Sequence, residues 1–496
     1  MQLSDLVKRL EGAVVHGSVD HEITGLCYDS RRAGPGNLFV AVRGELVDGH
    51  SFIKQAIDRG AVAVVGEVPD LLDRTTTIVV KNSREALAQL ASIFWGEPSQ
   101  KLRMIGITGT NGKTTTTFLV KRLLEYAGQS TGLIGTVQYE IGEQLLPVQR
   151  TTPESLDLQE LLSRCVDAGC RNVVMEVSSH ALSQRRAAEI AFDAAAFTNL
   201  TQDHLDFHRG MNDYFEAKVS LFSNLRPKRN KQPVAVINMD DPYGQKLVTR
   251  LGRDLRVITY GIGGRADFRA SNCKVELGGT SYQLDAKAKS YLVRLPLIGR
   301  FNIYNSLAAL ALAYAMGMDV RTSVLAMAEA PQIPGRLEAV RAKRQFQVYV
   351  DYAHTDDALL NVLKTCRALN PNRLIVVFGC GGNRDKAKRA KMGSVADQYA
   401  DYAIITSDNP RKEDPEAIIN EIEAGFRCKN YEKIVDRKQA ITRATGMAQA
   451  RDIVLIAGKG HEKYQEFSDH TIPFDDVEVA SRALEEHPVE LTRNGS

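Results

Sequence analysis

Residues 108–115 have the composition of a loop that binds phosphate. The segment Thr-Gly-Thr-Asn-Gly-Lys-Thr-Thr follows an apolar run at 102–107 and precedes a predicted helix at 113–127. In such loops the backbone N–H groups converge on phosphate oxygens, the lysine reaches the β- and γ-phosphates, and the next hydroxyl ligates Mg²⁺. The usual G-x-x-x-x-G-K-[ST] spacing requires glycine where this chain has Ile107. Strand, loop and helix in succession still predict an ATP-dependent enzyme.

Two more groups suited to this chemistry follow apolar runs farther along the chain. Glu176 ends the run 172–176, and His204 lies shortly after the run 194–198. Ligands of open α/β sheets bind outside the carboxyl ends of the strands, so both side chains could reach Mg²⁺ near the phosphates. A histidine ligand would be unusual for Mg²⁺, which prefers oxygen, and a packing role for His204 is an equal alternative. Lys218, on a predicted helix, has the character of a surface lysine.

The last third of the chain has three loops after predicted strands, each with glycine or proline and charged residues. They span residues 379–384, 407–411 and 458–462. Arg384 and Arg411 are suited to bidentate binding of carboxylates. Acidic residues in the same loops could accept from an ammonium group. A ligand with both charges, such as an amino acid, fits this pattern, although each loop alone could be ordinary turn chemistry.

Alternating strands and helices predict an α/β protein with parallel sheets covered on both faces. Breaks in the pattern near residues 96–99 and 333–336 divide it into three domains. We predict an N-terminal domain at 1–98, a central P-loop ATPase domain with a parallel sheet at 99–332, and a Rossmann-like C-terminal domain at 333–496. Short alternating segments predict an antiparallel patch at 256–298.

Composition narrows the class of protein. The 496 residues carry 63 basic and 60 acidic side chains and a net charge of +3, which gives no argument for nucleic acid. Seven scattered cysteines without a C-x-x-C motif predict reduced thiols and a cytoplasmic protein. The N-terminus lacks the features of a signal peptide, and no apolar run approaches the roughly 20 residues of a membrane helix.

Together these motifs resemble the Mur ligase family, and within it the MurE type, over essentially the whole chain. The phosphate loop matches the family's own variant, so its departure from the general spacing is expected there. The matching segments are 109–115 (GTNGKTT), 176–180 (EVSSH), 199–200 (NL), 203–206 (DHLD), 299–305 (GRFNIYN), 351–355 (DYAHT) and 458–462 (GKGHE).

The resemblance implies residues for ATP and Mg²⁺, the two cofactors. ATP would be bound by Gly109, Thr110, Asn111, Gly112, Lys113, Thr114, Thr115, Asn305, Arg336 and Asp351. Mg²⁺ would be held by Thr114, Glu176, His204 and Lys218, the last as a carbamylated lysine. The catalytic group would be Lys113, Lys218, Glu176 and His204.

It also implies the sites of the two other substrates. The uridine-nucleotide substrate would contact Ser30, Thr151, Thr152, Ser178, Gln184 and Arg186. Diaminopimelate would contact Arg384, Asp408, Asn409, Pro410, Arg411, Gly458 and Glu462. In the family an arginine at 411 goes with meso-diaminopimelate, and enzymes that use lysine lack it. Asp356, where proline is usual, departs from the pattern and is expected to alter only a local turn.

The implied activity is an ATP-dependent ligation in peptidoglycan precursor synthesis. Meso-diaminopimelate would be added to UDP-MurNAc-L-Ala-D-Glu through an acyl-phosphate, by a cytoplasmic monomer. Three alternatives are a related Mur ligase or folylpolyglutamate synthetase, a P-loop NTPase acting as a switch or motor, and a non-catalytic scaffold. Arg411 argues against the first alternative, and the match at Ser30 and Lys218 argues against the second. The third is disfavoured by the retained Lys113, Glu176, His204 and Lys218.

Overall fold

The structure is a computed structural model that describes residues 1–44, 47–68, 75–204, 207–225, 232–252, 255–341 and 344–486. Its contacts divide the chain into two compact units. Unit 1 comprises Met1–Phe268 and Leu307–Ser323, and unit 2 comprises Arg269–Ser306 and Val324–Ser496. The three domains proposed from the sequence, with boundaries after residues 98 and 332, stay a prediction.

The first sheet of unit 1 is built by residues near the N-terminus. Its strands run in the order β1-β5-β4-β3-β2, and all are parallel except β1, which is antiparallel to β5. Leu38, Val40, Val65 and Ile78 lie in its core. The strands are β1 (Val14–His16), β2 (Gly25–Cys27), β3 (Asn37–Val40), β4 (Ala63–Gly66) and β5 (Thr76–Val79). The helices are α1 (Leu3–Val7), α2 (Ile53–Asp58) and α3 (Ser83–Phe94), with 3₁₀ turns at Ser30–Arg32 and Gly49–Phe52.

A second sheet in unit 1 holds the phosphate loop. Its strands follow the order β13-β12-β11-β6-β10-β7-β8-β9; the first six are mutually parallel and β8 and β9 are antiparallel. The strands are β6 (Arg103–Thr108), β7 (Thr131–Ile134), β8 (Tyr139–Ile141), β9 (Gln144–Leu146), β10 (Asn172–Glu176), β11 (Phe192–Phe197), β12 (Val234–Asn238) and β13 (Arg256–Gly261). The helices are α4 (Pro98–Lys101), α5 (Lys113–Tyr126), α6 (Ser155–Asp167), α7 (Ser179–Ser183), α8 (Met211–Ser223) and α9 (Pro242–Leu251).

Unit 2 has a six-stranded sheet in the order β17-β18-β22-β19-β20-β21, parallel except for the short edge strand β17. The strands from residue 268 onward are β14 (Phe268–Glu276), β15 (Gly279–Ala286), β16 (Lys289–Leu295), β17 (Glu338–Ala339), β18 (Gln347–Asp351), β19 (Leu374–Phe378), β20 (Tyr402–Ile405), β21 (Tyr431–Lys433), β22 (Ile453–Ala457), β23 (Tyr464–Glu466) and β24 (Thr471–Pro473). The helices from residue 300 onward are α10 (Arg300–Ala315), α11 (Val320–Met327), α12 (Asp356–Arg367), α13 (Ala387–Tyr399), α14 (Pro415–Glu423), α15 (Arg437–Met447) and α16 (Asp476–Glu486). Most of α10 and the first half of α11 belong to unit 1.

The predicted α/β class is confirmed, and the antiparallel patch at 256–298 is partly wrong. β15 and β16 do pair antiparallel, with Thr280 opposite Leu295. Residues 256–261, however, form β13, which is parallel to β12. The alternating polarity at that end of the segment reflects the uneven burial of β13, in which Arg256 is exposed and Ile258 is buried.

Asp356 begins helix α12, directly after the N-cap Thr355. The Thr355 hydroxyl accepts a hydrogen bond from the N–H of Ala358 at 3.2 Å. Proline is common at the first helical position, and a carboxylate there interacts favourably with the helix dipole. The departure from the family pattern therefore leaves the start of the helix intact.

Two predictions from composition can be compared with the structure. The cysteines are all free. Within the described ranges every helix is too short or too polar to span a bilayer.

Candidate active site

The phosphate loop in unit 1 connects β6 to α5, as the sequence predicts. Gly112 caps the helix with φ 87°, and Gly109 has φ 148°. A Cβ on Gly109 would lie 1.8 Å from the Oγ1 atom of Thr198. The close approach of Thr198, the residue after β11, to the loop therefore requires glycine at 109.

Asn199 holds the loop from the end of the neighbouring strand. Its Oδ1 accepts from the N–H of Asn111 at 2.9 Å, and its Nδ2 donates to the carbonyl of Asn111 at 3.1 Å. The Asn199 carbonyl accepts from the N–H of Thr110 at 2.9 Å. Sequence reasoning included Asn199 in a family motif but assigned it no role; its role is to fix the backbone that would contact phosphate.

Lys113 and Lys218 converge on one backbone carbonyl. Their Nζ atoms donate to the Gly109 oxygen at 3.0 and 2.9 Å. Lys218 is only 1% exposed, so the expectation of a surface lysine is wrong. Its ammonium lies 4.6 Å from the ring centroid of Tyr214. Burial, reinforced by the charge of Lys113, holds the pKa of Lys218 well below its usual value.

Glu176 ends β10 and is buried beside the first turn of α5. Its carboxylate accepts from the Thr114 hydroxyl at 3.1 Å, from the Thr136 N–H at 2.7 Å and from the Thr136 hydroxyl at 3.0 Å. Thr115, the next residue of α5, is also buried. A hydroxyl and a carboxylate side by side are the oxygen donors that Mg²⁺ prefers. Thr136 was not singled out from the sequence because an isolated threonine carries no motif.

His204 lies near these groups, in a strained conformation with φ 54°. Its ring centroid is 4.8 Å from that of His180 and 6.1 Å from that of Tyr214, whose hydroxyl is 3.1 Å from the Thr110 hydroxyl. Partial burial lowers the pKa of His204 to about 4, although Asp203 opposes the shift. The imidazole is therefore neutral near pH 7, the form that can ligate a metal. Leu205 and Asp206 of the same motif lie outside the described residues.

Several side chains predicted to bind the nucleotide substrate form one hydrogen-bonded cluster. Thr152 accepts from the N–H of Ser178 at 3.1 Å and donates to the Glu176 carbonyl at 2.8 Å. Arg186 donates to the Thr152 carbonyl at 3.0 Å and to Gln184 at 2.5 Å. The cluster is therefore hydrogen-bonded directly to Glu176, whose carboxylate accepts from Thr114.

Glu154 balances the charge of this cluster and was missed by sequence reasoning. Its carboxylate lies 3.1 Å from Arg186, 2.5 Å from Arg150 and 3.6 Å from Arg84. Three arginines share one largely buried carboxylate, so the region keeps positive charge suited to an anionic ligand.

Ser30 and Thr151 are bound to other partners. The Ser30 hydroxyl donates to Gln55 at 2.7 Å, and the Thr151 hydroxyl accepts from Thr136 at 3.2 Å. No described contact joins Ser30 itself to the cluster. Its neighbour Tyr28 is connected to helix α6 through a 2.5 Å hydrogen bond to Asp157.

The remaining predicted ATP contacts belong to unit 2. The Arg336 guanidinium lies 4.9 Å from the ring centroid of Tyr352, and the Asp351 carboxylate accepts from the N–H of Leu337 at 2.7 Å. Burial raises the pKa of Asp351, while Arg336 opposes the shift. Asn305 is buried on α10, where it donates to Asn302 at 2.9 Å.

The predicted amino-acid loops meet at the carboxyl ends of β20 and β22. Asn409 donates to the Glu462 carboxylate at 2.9 Å and accepts from Lys459 at 2.9 Å. Lys459 also contacts Glu462 at 3.0 Å and is fully buried. A Cβ on Gly458, which has φ 116°, would lie 2.7 Å from Asp408 Oδ2. The two loops therefore interlock, and Lys459 supplies an internal cation that the sequence alone did not suggest.

Arg411 and Arg384 differ in their surroundings. Arg411 has φ 52°, and its side chain donates to Glu466 at 2.8 Å and to the Gly382 carbonyl at 3.0 Å. Arg384 is exposed on the loop after β19. The carbonyl of Pro410 accepts from the N–H of Glu413 at 3.1 Å. The structure joins Arg411 to the interlocked loops, but it records no contact of Arg384 with them among the described residues.

Comparison with protein families gives three matches along the chain. They are described as "Mur ligase family, catalytic domain" at residues 22–95, "Mur ligase middle domain" at 107–313, and "Mur ligase, glutamate ligase domain" at 335–460. The middle match covers the phosphate loop, Glu176 and Lys218, and the last covers the Arg411 loop.

Individual relatives match over nearly the full length. A protein of Syntrophomonas wolfei is 46% identical over 98% of this chain and 99% of its own, and one of Geobacillus thermodenitrificans is 46% identical over 98% and 100%. Both are named UDP-N-acetylmuramoyl-L-alanyl-D-glutamate--2,6-diaminopimelate ligase. A solved structure with that name is 32% identical, has a TM-score of 0.70, and covers 98% of this chain and 99% of its own.

Proposed function

Because the chain belongs to the Mur ligase family, we propose that it ligates meso-diaminopimelate to UDP-MurNAc-L-Ala-D-Glu at the expense of ATP. The observation that carries the proposal is the full-length match to relatives named for this reaction. The interlocked loops that contain Arg411, Asn409 and Glu462 support the choice of amine.

In the first step the γ-carboxylate of the D-glutamyl residue attacks the γ-phosphorus of ATP. A bond to phosphorus forms, the bond to ADP breaks, and an acyl-phosphate results. Both the nucleophile and the phosphate are anionic, so their repulsion must be offset by fixed positive charge. Lys113 and the N-terminus of α5 supply that charge from the loop itself.

Mg²⁺ would be held by Thr114 and Glu176, with His204 and a carbamate on Lys218 as further ligands. No group of three or more His, Cys, Asp or Glu side chains in the described part of the chain forms a metal cluster. Mg²⁺ at phosphate-transfer sites commonly binds one or two carboxylates together with substrate phosphates, and the Thr114–Glu176 pair fits that arrangement. When bound, the ion neutralises phosphate charge.

Lys218 is suited to carbamylation. Reaction of its amine with carbon dioxide forms a carbamate and releases a proton, and only the neutral amine reacts. Burial against the Tyr214 ring favours the neutral form. The modification would replace a buried neutral amine with an anion beside Lys113.

In the second step the amine of diaminopimelate attacks the acyl carbon, phosphate leaves, and the amine loses a proton. Arg411 would bind the carboxylate at the far end of the amino acid, and acidic side chains of the same loops would accept from its ammonium group. L-Lysine has the second amine but lacks the second carboxylate. Arg411 therefore distinguishes the two acceptors.

An amino-acid panel tests the proposal. ADP release is measured with UDP-MurNAc-L-Ala-D-Glu and either meso-diaminopimelate, L-lysine or no acceptor. We expect rapid release only with meso-diaminopimelate, together with the tripeptide product by mass spectrometry. Release without an acceptor would favour an NTPase, and preference for L-lysine would refute the assigned role of Arg411.

We further propose that the protein is a cytoplasmic monomer. Cell fractionation tests the location, and light scattering tests the oligomeric state.

A further inference from the structure

A short hairpin lies against the loop that carries Arg411. It consists of β23 (Tyr464–Glu466) and β24 (Thr471–Pro473), paired antiparallel. Gln465 is buried, whereas the side chain of Glu466 is 41% exposed. The hairpin contains none of the residues predicted from the sequence to contact a substrate or Mg²⁺. Both its backbone and its side chains nevertheless contact the loop.

Three hydrogen bonds hold residues 408–411 to the hairpin, two through the loop backbone and one through the Asn409 side chain. The N–H of Arg411 donates to the Glu466 carbonyl at 3.1 Å, and the N–H of Glu466 donates to Asn409 Oδ1 at 3.0 Å. The Gln465 side chain donates to the Asp408 carbonyl at 2.7 Å. Because Arg411 has φ 52°, it occupies a conformation that a residue other than glycine keeps only when its surroundings impose it.

Glu466 also holds the guanidinium group. Arg411 Nε donates to Glu466 Oε2 at 2.8 Å, while Nη1 donates to the Gly382 carbonyl at 3.0 Å. Nη2 has no protein partner among the residues that the structure describes. Two of the five N–H groups thus orient the side chain, and the others keep a defined direction for a carboxylate.

We propose that Glu466 is a positioning residue that sets specificity for meso-diaminopimelate by fixing Arg411 before the amino acid binds. The inference rests on the proposed function, since Arg411 must bind the second carboxylate. Ordering a long charged side chain during binding costs affinity, and a partner that orders it beforehand removes that cost. If Glu466 instead competed with the substrate for Arg411, its removal would improve binding.

The test compares Glu466→Ala with Glu466→Gln. The alanine variant should raise the KM for meso-diaminopimelate about fivefold, because Arg411 must then be ordered on binding. The KM values for ATP and the nucleotide substrate should stay unchanged. Glutamine keeps an oxygen that accepts from Arg411 Nε. The KM of the Glu466→Gln variant for meso-diaminopimelate should therefore lie within about twofold of the wild-type value.

Glu432→Ala is the matched control, because Glu432 forms a comparable partly exposed ion pair with Arg443 at 2.9 Å elsewhere in unit 2. Its KM for meso-diaminopimelate should not change. Melting temperatures of all three variants identify any general loss of folding. An unchanged or lower KM for meso-diaminopimelate in Glu466→Ala would overturn the positioning role of Glu466 and leave the proposed function standing. A wild-type enzyme that does not use meso-diaminopimelate would overturn the proposed function itself.

Discussion

Arg411 is the residue on which the proposed choice of amine depends. Arg411→Ala should raise the KM for meso-diaminopimelate by about 10- to 100-fold, the range expected when charge-assisted hydrogen bonds to a carboxylate are lost. ATP binding should be unaffected, because Arg411 is not among the residues predicted to contact ATP and the phosphate loop belongs to the other unit. Steady-state kinetics with each substrate varied in turn provide the measurement.

Arg443→Ala is the control for that variant, since it also removes an arginine from an ion pair in unit 2. It should leave both KM values at the wild-type level. Equal losses of ATP and diaminopimelate binding in Arg411→Ala would contradict its assignment as the specificity residue.

Lys218 is the residue whose chemistry is least visible in the sequence. Lys218→Ala should lower kcat by roughly 100-fold, as expected when one fixed charge at a reaction centre is removed. Formate or acetate, added at increasing concentration, should restore part of the activity by supplying the missing anion. The readout is the dependence of the rate on acid concentration.

Lys246 provides a matched control on helix α9, because its ammonium also lies over a tyrosine ring, 4.7 Å from the centroid of Tyr243. Lys246→Ala should be fully active and should not respond to the acids. Wild-type activity in Lys218→Ala without any added acid would refute the carbamate.

The phosphate loop, as an element, depends on Gly109. Gly109→Ala would place a Cβ 1.8 Å from Thr198 Oγ1, so either the loop or Thr198 must move. We expect the KM for ATP to rise at least about tenfold, which corresponds to the cost of a strained backbone position. ATP titration followed by steady-state kinetics would measure the change.

Gly128→Ala tests whether that effect is specific. Gly128 follows the same helix, has φ 70°, and would place a Cβ with nothing within 4 Å. The substitution should cost about 1 kcal/mol of stability and leave ATP use unchanged. A wild-type KM for ATP in Gly109→Ala would show that the contact with Thr198 does not constrain the loop.

The elements that could be predicted from the sequence are those whose side chains share one environment. Strand β10 has the bounds of the apolar run at 172–176, because its three inner residues are apolar and the whole strand is buried. The hairpin β23–β24 was missed because three-residue strands carry too little periodicity. The burial of Lys218 was also missed, because a helical pattern cannot identify the one polar residue that faces a site.

At the scale of the whole molecule, the two units have separate hydrophobic cores. Ile237 is buried in unit 1 and Leu455 in unit 2. We expect calorimetry to resolve more than one unfolding transition. Ile237→Ala and Leu455→Ala should each lower a different transition by on the order of 10 °C, because each leaves a cavity in one core.

These two variants serve as controls for each other. If both lowered one common transition by the same amount, the chain would unfold as a single cooperative unit. ATP with Mg²⁺ should raise the transition affected by Ile237→Ala more than the other, since the phosphate loop and the proposed Mg²⁺ ligands belong to unit 1 and a ligand stabilises the part of the protein to which it binds.

The left-handed backbone at Arg411 restricts how this enzyme could acquire a different amine. Any residue that replaces Arg411 inherits φ 52° as long as the hairpin holds the loop. Glycine and asparagine tolerate that conformation, whereas valine, isoleucine and threonine are disfavoured there. Single substitutions that preserve the loop therefore lead first to small or polar side chains. An evolutionary change toward an apolar pocket would require the hairpin to change as well.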